Sequence, residues 1–125
     1  QLRVDRPISA PVYARAEELL CYSILANLLK NAVQAIPEGR EGRIDVRLQE
    51  QDGHALATVT DNGSGIPEHI HDRIFTPSFT TKNSGMGLGL AMVKRIVEQA
   101  GGRVWFETIE GVGTSFFVSL PLQAN

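Results

Sequence analysis

The hydrophobic period of the chain changes three times between residues 16 and 120, and that succession leaves few architectures open. In "AEELLCYSILANLLKNAVQAI" the apolar residues recur at helical spacing: Leu20, Ile24, Leu28, Ala32, Ala35 and Ile36 share one arc, and Pro37 with Gly39 ends it. "RIDVRLQE" then alternates Ile44, Val46 and Leu48 with polar neighbours. "QDG" makes a turn, and Ala55, Ala57 and Val59 alternate again up to "TDNGSGIPE". Helical period returns from Leu88 with Leu90, Val93, Ile96, Val97 and Ala100, closed by Gly101 and Gly102. "RVWFETI", the turn "EGVG" and "TSFFVSL" make a last hairpin. Half-buried strands need a cover on one face, and amphipathic helices supply it. The order predicts an α+β fold, a two-layer sandwich of one mixed, mostly antiparallel sheet with about three helices on one face. Apolar runs at Leu2–Val4 and Val12–Ala14 read as brief strands that Pro7 and Pro11 confine to edges, and a short polar helix is expected after Pro67.

At 125 residues the chain has the length of one domain and can bury a core without staples. A net charge of -2 gives no electrostatic case for nucleic acid or an anionic membrane. Cys21 stands alone, so it forms no internal disulfide and suits a reducing compartment. No apolar run approaches the roughly 20 residues of a membrane span. A cytoplasmic placement is therefore expected. The opening "QLRVDRPISAPVYARAEE" has no initiator methionine and reads as part of something longer, whose membrane attachment stays open.

The stretch "RIFTPSFTTKNSGMG" has neither period, and loops of that length in a compact domain are usually functional. It runs into three glycines at alternate positions, Gly85, Gly87 and Gly89. A dinucleotide fingerprint needs a preceding strand and a glycine where Leu90 stands, and a P-loop needs a closing G-K-[ST]. Neither is met. Two readings remain: a tight loop whose last glycine lets the helix pack closely, or amides at a helix N-terminus that receive a phosphate chain.

Asn27 and Asn31 lie one helical turn apart at the edge of the apolar arc. Each could be satisfied by nearby backbone, or the two amide oxygens could help hold a hard cation such as Mg²⁺ that shares phosphate oxygens. Lys30 flanks them. Strand parity puts Asp61 on the side of Ala55, Ala57 and Val59, a carboxylate pointing toward the core. It either bonds the amides of Gly63 and Gly65 in a turn, or accepts a hydrogen bond from a ligand's exocyclic amino group. Adenine offers such a group; guanine presents a carbonyl there.

Taken in order, "NLLKNAVQA", "DNGSGIP", "IFTPSFTTK", "GMGLGL" and "GVGTSF" resemble the N box, first glycine box, F box, second glycine box and last glycine box of the ATP-binding catalytic domain of bacterial sensor histidine kinases. That superfamily also includes gyrase, heat-shock chaperone ATPases and mismatch-repair ATPases. The resemblance spans nearly the whole chain and implies a Bergerat-type sandwich over residues 1–125 with a mobile ATP lid. It implies that Asn31 ligates Mg²⁺ with Asn27 assisting at the phosphates, and that Lys30 and Ala35 are among the positions that bind the nucleotide. It implies that Asp61 reads the adenine amino group with Thr114 nearby through water, and that Gly63, Gly65 and Ile66 let the loop approach the base. Phe75 and Phe79 would anchor the lid, Thr80, Thr81 and Lys82 would follow toward the phosphates, and Gly85, Met86, Gly87, Leu88, Gly89 and Leu90 would form its phosphate-side end. Ser78 stands where many relatives carry a second aromatic.

Hydrolysing members of the superfamily carry a glutamate where this chain has Asn27, and an amide cannot take a proton from water. Transfer to a neutral imidazole needs no such base. The resemblance therefore implies a protein-histidine kinase domain using ATP and Mg²⁺ in two-component signalling; an ATPase, a protein-serine kinase and a non-catalytic nucleotide-binding module are the alternatives. His54, His69 and His71 fall outside long helices and read as exposed loop or short-helix residues, not phospho-acceptors. The acceptor and dimerisation domain, and a response regulator beyond it, are expected partners. The fragment itself is expected to be monomeric, from a homodimeric parent.

Overall fold

The computed structural model describes residues 2–5, 18–76 and 86–122. Alternation in the sequence becomes five strands: β1 (Leu2–Asp5), β2 (Ile44–Gln51), β3 (His54–Asp61), β4 (Arg103–Ile109) and β5 (Gly113–Pro121). They form one sheet in the order β1-β2-β3-β5-β4. β1 runs parallel to β2 at the edge, and every other pairing is antiparallel. The mixed, mostly antiparallel sheet is thus the expected one, and the edge strand at Leu2 is present; residues 12–14 lie outside the described residues.

Register sorts the sheet into rows. On the inner face, Val46, Val59, Phe116 and Phe106 sit opposite one another, and beside them Leu48, Ala57, Val118 and Val104. Against these rows pack the helix α1 (Glu18–Ala35), through Ile24, Leu28 and Ala32, and the helix α2 (Met86–Gln99), through Leu90, Val93 and Val97. Leu28, Val93 and Val97 have no solvent exposure at all. These are residues that the helical period assigned to the core, so the two layers form because each element's apolar face finds only the other's. A 3₁₀ helix, Glu68–Arg73, follows Pro67 as expected, and Ile74 behind it is buried.

Two element ends differ from expectation or explain it. α2 begins at Met86, two residues before Leu88, so Gly87 and Gly89 are helical and not part of a loop. Glycine's poor propensity is overridden there by the packing of the turn that follows. At its other end the Gly102 amide bonds the Val97 carbonyl at 2.8 Å and the Gly101 amide that of Glu98 at 3.0 Å, which is a Schellman closure. The opposite face of the sheet carries an aromatic pair, Trp105 stacked on Phe117 with centroids 5.2 Å apart, and Arg103 lies over the indole at 4.7 Å.

Candidate functional site

One end of the inner face is polar. The last row reads Ile44, Asp61, Thr114, Thr108 across β2, β3, β5 and β4. Asp61 is 5% exposed and Thr114 4%, deep burial for a carboxylate and a hydroxyl. The amide of Gly63 donates to Asp61 Oδ1 at 2.7 Å. Burial raises the Asp61 carboxyl above the ordinary aspartate value, and the amides of Gly63 and Thr114 pull it part of the way back. The turn reading of Asp61 is thus half right: it does cap a turn, through Gly63, yet it remains a desolvated carboxylate that a further donor would relieve.

The loop after Asp61 is bound tightly to its surroundings. Ser64 donates its amide to the Ala35 carbonyl at 3.0 Å, and a Cβ on Gly63 would lie 2.5 Å from that same oxygen. Gly65 has a φ of +78°, a left-handed backbone, and its missing side chain leaves room for the Ile109 carbonyl. The resemblance implied that these glycines let the loop approach a base; what the structure shows beside them is the backbone of Ala35 and of Ile109 and Glu110. Arg40 Nη1 donates to the carbonyls of Asn62 at 2.7 Å and Gly63 at 2.9 Å, while the Asn62 side chain accepts from the Arg43 amide and donates to the Glu41 carbonyl. Ile66, half-buried, donates its amide to Thr108 Oγ1 at 2.9 Å.

Asn27, Asn31 and Ala35 follow one another at single-turn spacing along α1, covering about 12 Å of helix. The ends of this line are fixed: Ala35 abuts Gly63, and Asn27 abuts Gly89 of α2, where a Cβ would lie 2.7 Å from Asn27 Oδ1. The two asparagines fare differently. Asn27 Nδ2 donates to the Ser23 carbonyl at 2.8 Å, the backbone satisfaction weighed for a helical asparagine. Asn31 is buried, and its Oδ1 has no hydrogen-bond partner among the described residues. An amide oxygen desolvated without a donor is costly, and a hard cation or its water is the partner that suits it. Among the described residues no cluster of three His, Cys, Asp or Glu side chains could hold a metal, so a cation at Asn31 would share its remaining ligands with water and phosphate.

Other expected residues scatter. Lys30 is exposed, and Leu90 turns into the core at 5% exposure. Phe75 is half-buried, 6.1 Å from the ring of Phe106 and 6.3 Å edge-on to Phe116, with Lys94 above it at 5.8 Å. Met86, Gly87 and Leu88 open α2. Phe79, Thr80, Thr81, Lys82 and Gly85, with Ser78 and the lid as a whole, lie outside the described residues. His54 and His69 are exposed as expected, whereas His71 is half-buried, edge-on to Phe106 and bonded to the Ile66 carbonyl at 2.8 Å. Three residues of the site were not foreseen: Thr108, Asn62 and Arg40. Parity in "RVWFETI" puts Thr108 on the face of Val104 and Phe106 and marks it as an inward polar residue. Arg40 grips backbone 22 residues away, which no local pattern encodes.

The sequence profile of the histidine kinase-, DNA gyrase B- and HSP90-like ATPases matches residues 16–124. The chain is 47% identical over 103 residues to the sensor histidine kinase ZraS of Salmonella typhimurium, covering 82% of this chain and 22% of that protein. It is 40% identical over 119 residues to the C4-dicarboxylate transport sensor protein DctB of Rhizobium meliloti, covering 95% of this chain and 19% of that one. It thus spans about a fifth of the length of these curated relatives. Among solved structures, a nucleotide-free form of the catalytic domain of the histidine kinase ThkA superposes with a TM-score of 0.84 at 30% identity, over 97% of this chain and 79% of that one. The mycobacterial sensor histidine kinase MprB superposes with a TM-score of 0.81 at 29% identity, over 100% of this chain and 85% of that one. No helix among the described residues is long and apolar enough to cross a membrane. With a profile match over most of its length and the same fold in kinase catalytic domains, the chain belongs to the histidine kinase-, DNA gyrase B- and HSP90-like ATPase family.

Proposed function

We propose that this domain binds ATP with Mg²⁺ and hands the γ-phosphoryl group to a histidine carried by another domain. The observation that carries the reading is the pairing of a buried, desolvated carboxylate at one end of the α1 line with a buried amide oxygen on that line, at Asn31, that has no partner among the described residues. The purine's amino group donates to Asp61, with Thr114 beside it, and the triphosphate runs along α1 toward Asn27 and the first turn of α2. That turn brings free amides and the positive end of the helix dipole to the phosphates. Asn31 would hold Mg²⁺ through its Oδ1, and the ion would supply neutralisation of the charge on the transferring phosphoryl group. An imidazole nitrogen attacks the γ-phosphorus as the bond to the bridging oxygen breaks, and ADP leaves. Asn27 has no basic group with which to activate water, which favours an imidazole acceptor over hydrolysis.

The test has two stages. Calorimetry with ATP, in the presence and absence of Mg²⁺, should show binding that strengthens with the metal. The domain mixed with labelled ATP and a separately made helical hairpin bearing the acceptor histidine should then label the hairpin. Steady phosphate release without acceptor would favour a hydrolase, a labelled serine a serine kinase, and binding with no transfer to any hairpin a module that only senses nucleotide.

A further inference from the structure

Thr108 lies in the polar row two strands from Asp61, with Thr114 between them, and its hydroxyl has three neighbours. It accepts from the Ile66 amide at 2.9 Å, lies 3.1 Å from the Gly113 carbonyl, and lies 2.8 Å from the hydroxyl of Thr114. A hydroxyl has one proton and two lone pairs. A carbonyl only accepts, so for all three contacts to be hydrogen bonds the Thr108 proton goes to Gly113, and its lone pairs take the Ile66 amide and the proton of Thr114. Every valence of the Thr108 oxygen is then used, and the Thr114 hydroxyl has a fixed direction.

From this geometry we infer that Thr108 is a specificity-determining positioning residue: by taking the proton of Thr114, it makes the end of the site accept only, which suits a 6-aminopurine and opposes a 6-oxopurine. Thr114 faces Asp61 directly in register, at a separation of about 5 Å between Cβ atoms for such pairs. With its proton committed to Thr108, Thr114 presents lone pairs, as the Asp61 carboxylate does. An exocyclic amino group brings two N–H donors to those two acceptors; a carbonyl at the same place meets only oxygen. Without the Thr108 oxygen the Thr114 hydroxyl is free to turn. It then either donates to Asp61, competing with the amino group, or donates to a ligand carbonyl. The inference rests on the proposal that Asp61 receives the purine.

Affinities for ATP and for inosine triphosphate, which carries a carbonyl at that position, test it in the whole domain. The unaltered domain should prefer ATP, and Thr108→Val should reduce the ATP-to-ITP ratio by about tenfold, the loss of one hydrogen-bond preference. Thr108→Ser, which keeps the hydroxyl, should leave the ratio within about twofold of the parent. In a Thr114→Val background the further change Thr108→Val should not move the ratio. Should the valine not be accommodated, Thr108→Ala carries the same expectation. Equal losses for both nucleotides would reduce Thr108 to a prop for Ile66 and overturn the inference, as would a ratio lost equally in the serine variant. If the unaltered domain binds neither nucleotide, the ATP reading itself fails; if it binds ATP and the ratio is indifferent to Thr108, only the inference does.

Discussion

Replacing Gly89 by alanine adds one methyl group where α1 and α2 meet, and the structure allows its effect on folding to be separated from its effect on binding. The new Cβ would lie 2.7 Å from Asn27 Oδ1, 3.6 Å from its Cγ and 4.0 Å from its Cβ. Comfortable contact requires about 3.5 Å, so the amide tip must move by most of an ångström. It is the end of a side chain, so α1 need not shift. The move breaks the Asn27 bond to the Ser23 carbonyl, costing ~0.5–1.5 kcal/mol. Alanine in place of glycine within a helix returns ~0.5–1 kcal/mol. The two nearly cancel, and thermal denaturation should show a Tm change of no more than about 5 °C. Binding has no such offset. On the proposed placement of the phosphates, an Asn27 amide displaced from them loses a hydrogen bond to a charged group, ~1.5–3 kcal/mol, so calorimetry should find ATP·Mg²⁺ bound roughly ten- to a hundredfold more weakly. Adenosine, which on the same proposed placement ends at the Gly63 side of the line, should bind as before. A collapse in Tm would show that the helices themselves are forced apart and that the glycine serves packing alone. A variant with unchanged Tm and unchanged ATP affinity would remove Asn27 from the phosphate site.

Asp61→Asn should stay folded and bind ATP about ten- to a hundredfold more weakly, because a charge-assisted acceptor is lost; titration of the folded variant reads this directly. The raised pKa of Asp61 also sets a pH dependence: below its ordinary value the group is protonated in both states and its stabilising contribution is full, and this is lost as pH rises through the folded value. Denaturant melts of the nucleotide-free domain should accordingly lose stability as pH rises through that window, with a shallower slope in Asp61→Asn. Gly63→Ala has no flexible neighbour to displace, since the carbonyl oxygen and carbon of Ala35 stand 2.5 and 2.7 Å from the new Cβ; a cost of ~1–3 kcal/mol should appear as a lowered denaturant midpoint. Arg40→Ala releases the carbonyls of Asn62 and Gly63 and should weaken ATP a few-fold with little change in Tm. Arg40→Lys, which keeps a cationic donor, should recover part of that loss; an alanine variant with unaltered affinity would show that the loop holds itself.

The architecture was legible because its elements are patterned over many residues. The alternation at 44–61 fixes strand faces, and the same parity places Asp61 inward. Ends and tips were not legible. The apolar period started α2 at Leu88, but the helix begins at Met86 and takes in Gly87 as well. Spacing put Asn27 and Asn31 on one face without showing that one amide bonds Ser23 and that the oxygen of the other has no partner among the described residues. Gly63 and Gly65 were marked as places of close approach, yet only the fold shows that Ala35 and Ile109 are what approach. Thr108 was open to the parity argument and Arg40 was not, since its grip depends on tertiary closure alone.

The stack of Trp105 on Phe117 has a practical consequence. The chain has a single tryptophan, and by strand parity it lies on the face of the sheet opposite α1, α2 and the polar row. Its emission is therefore a native gauge of whether β4 and β5 remain zipped, usable without any label. The same placement makes it a poor optical probe of occupancy, because a guest at Asp61 is separated from the indole by the thickness of the sheet.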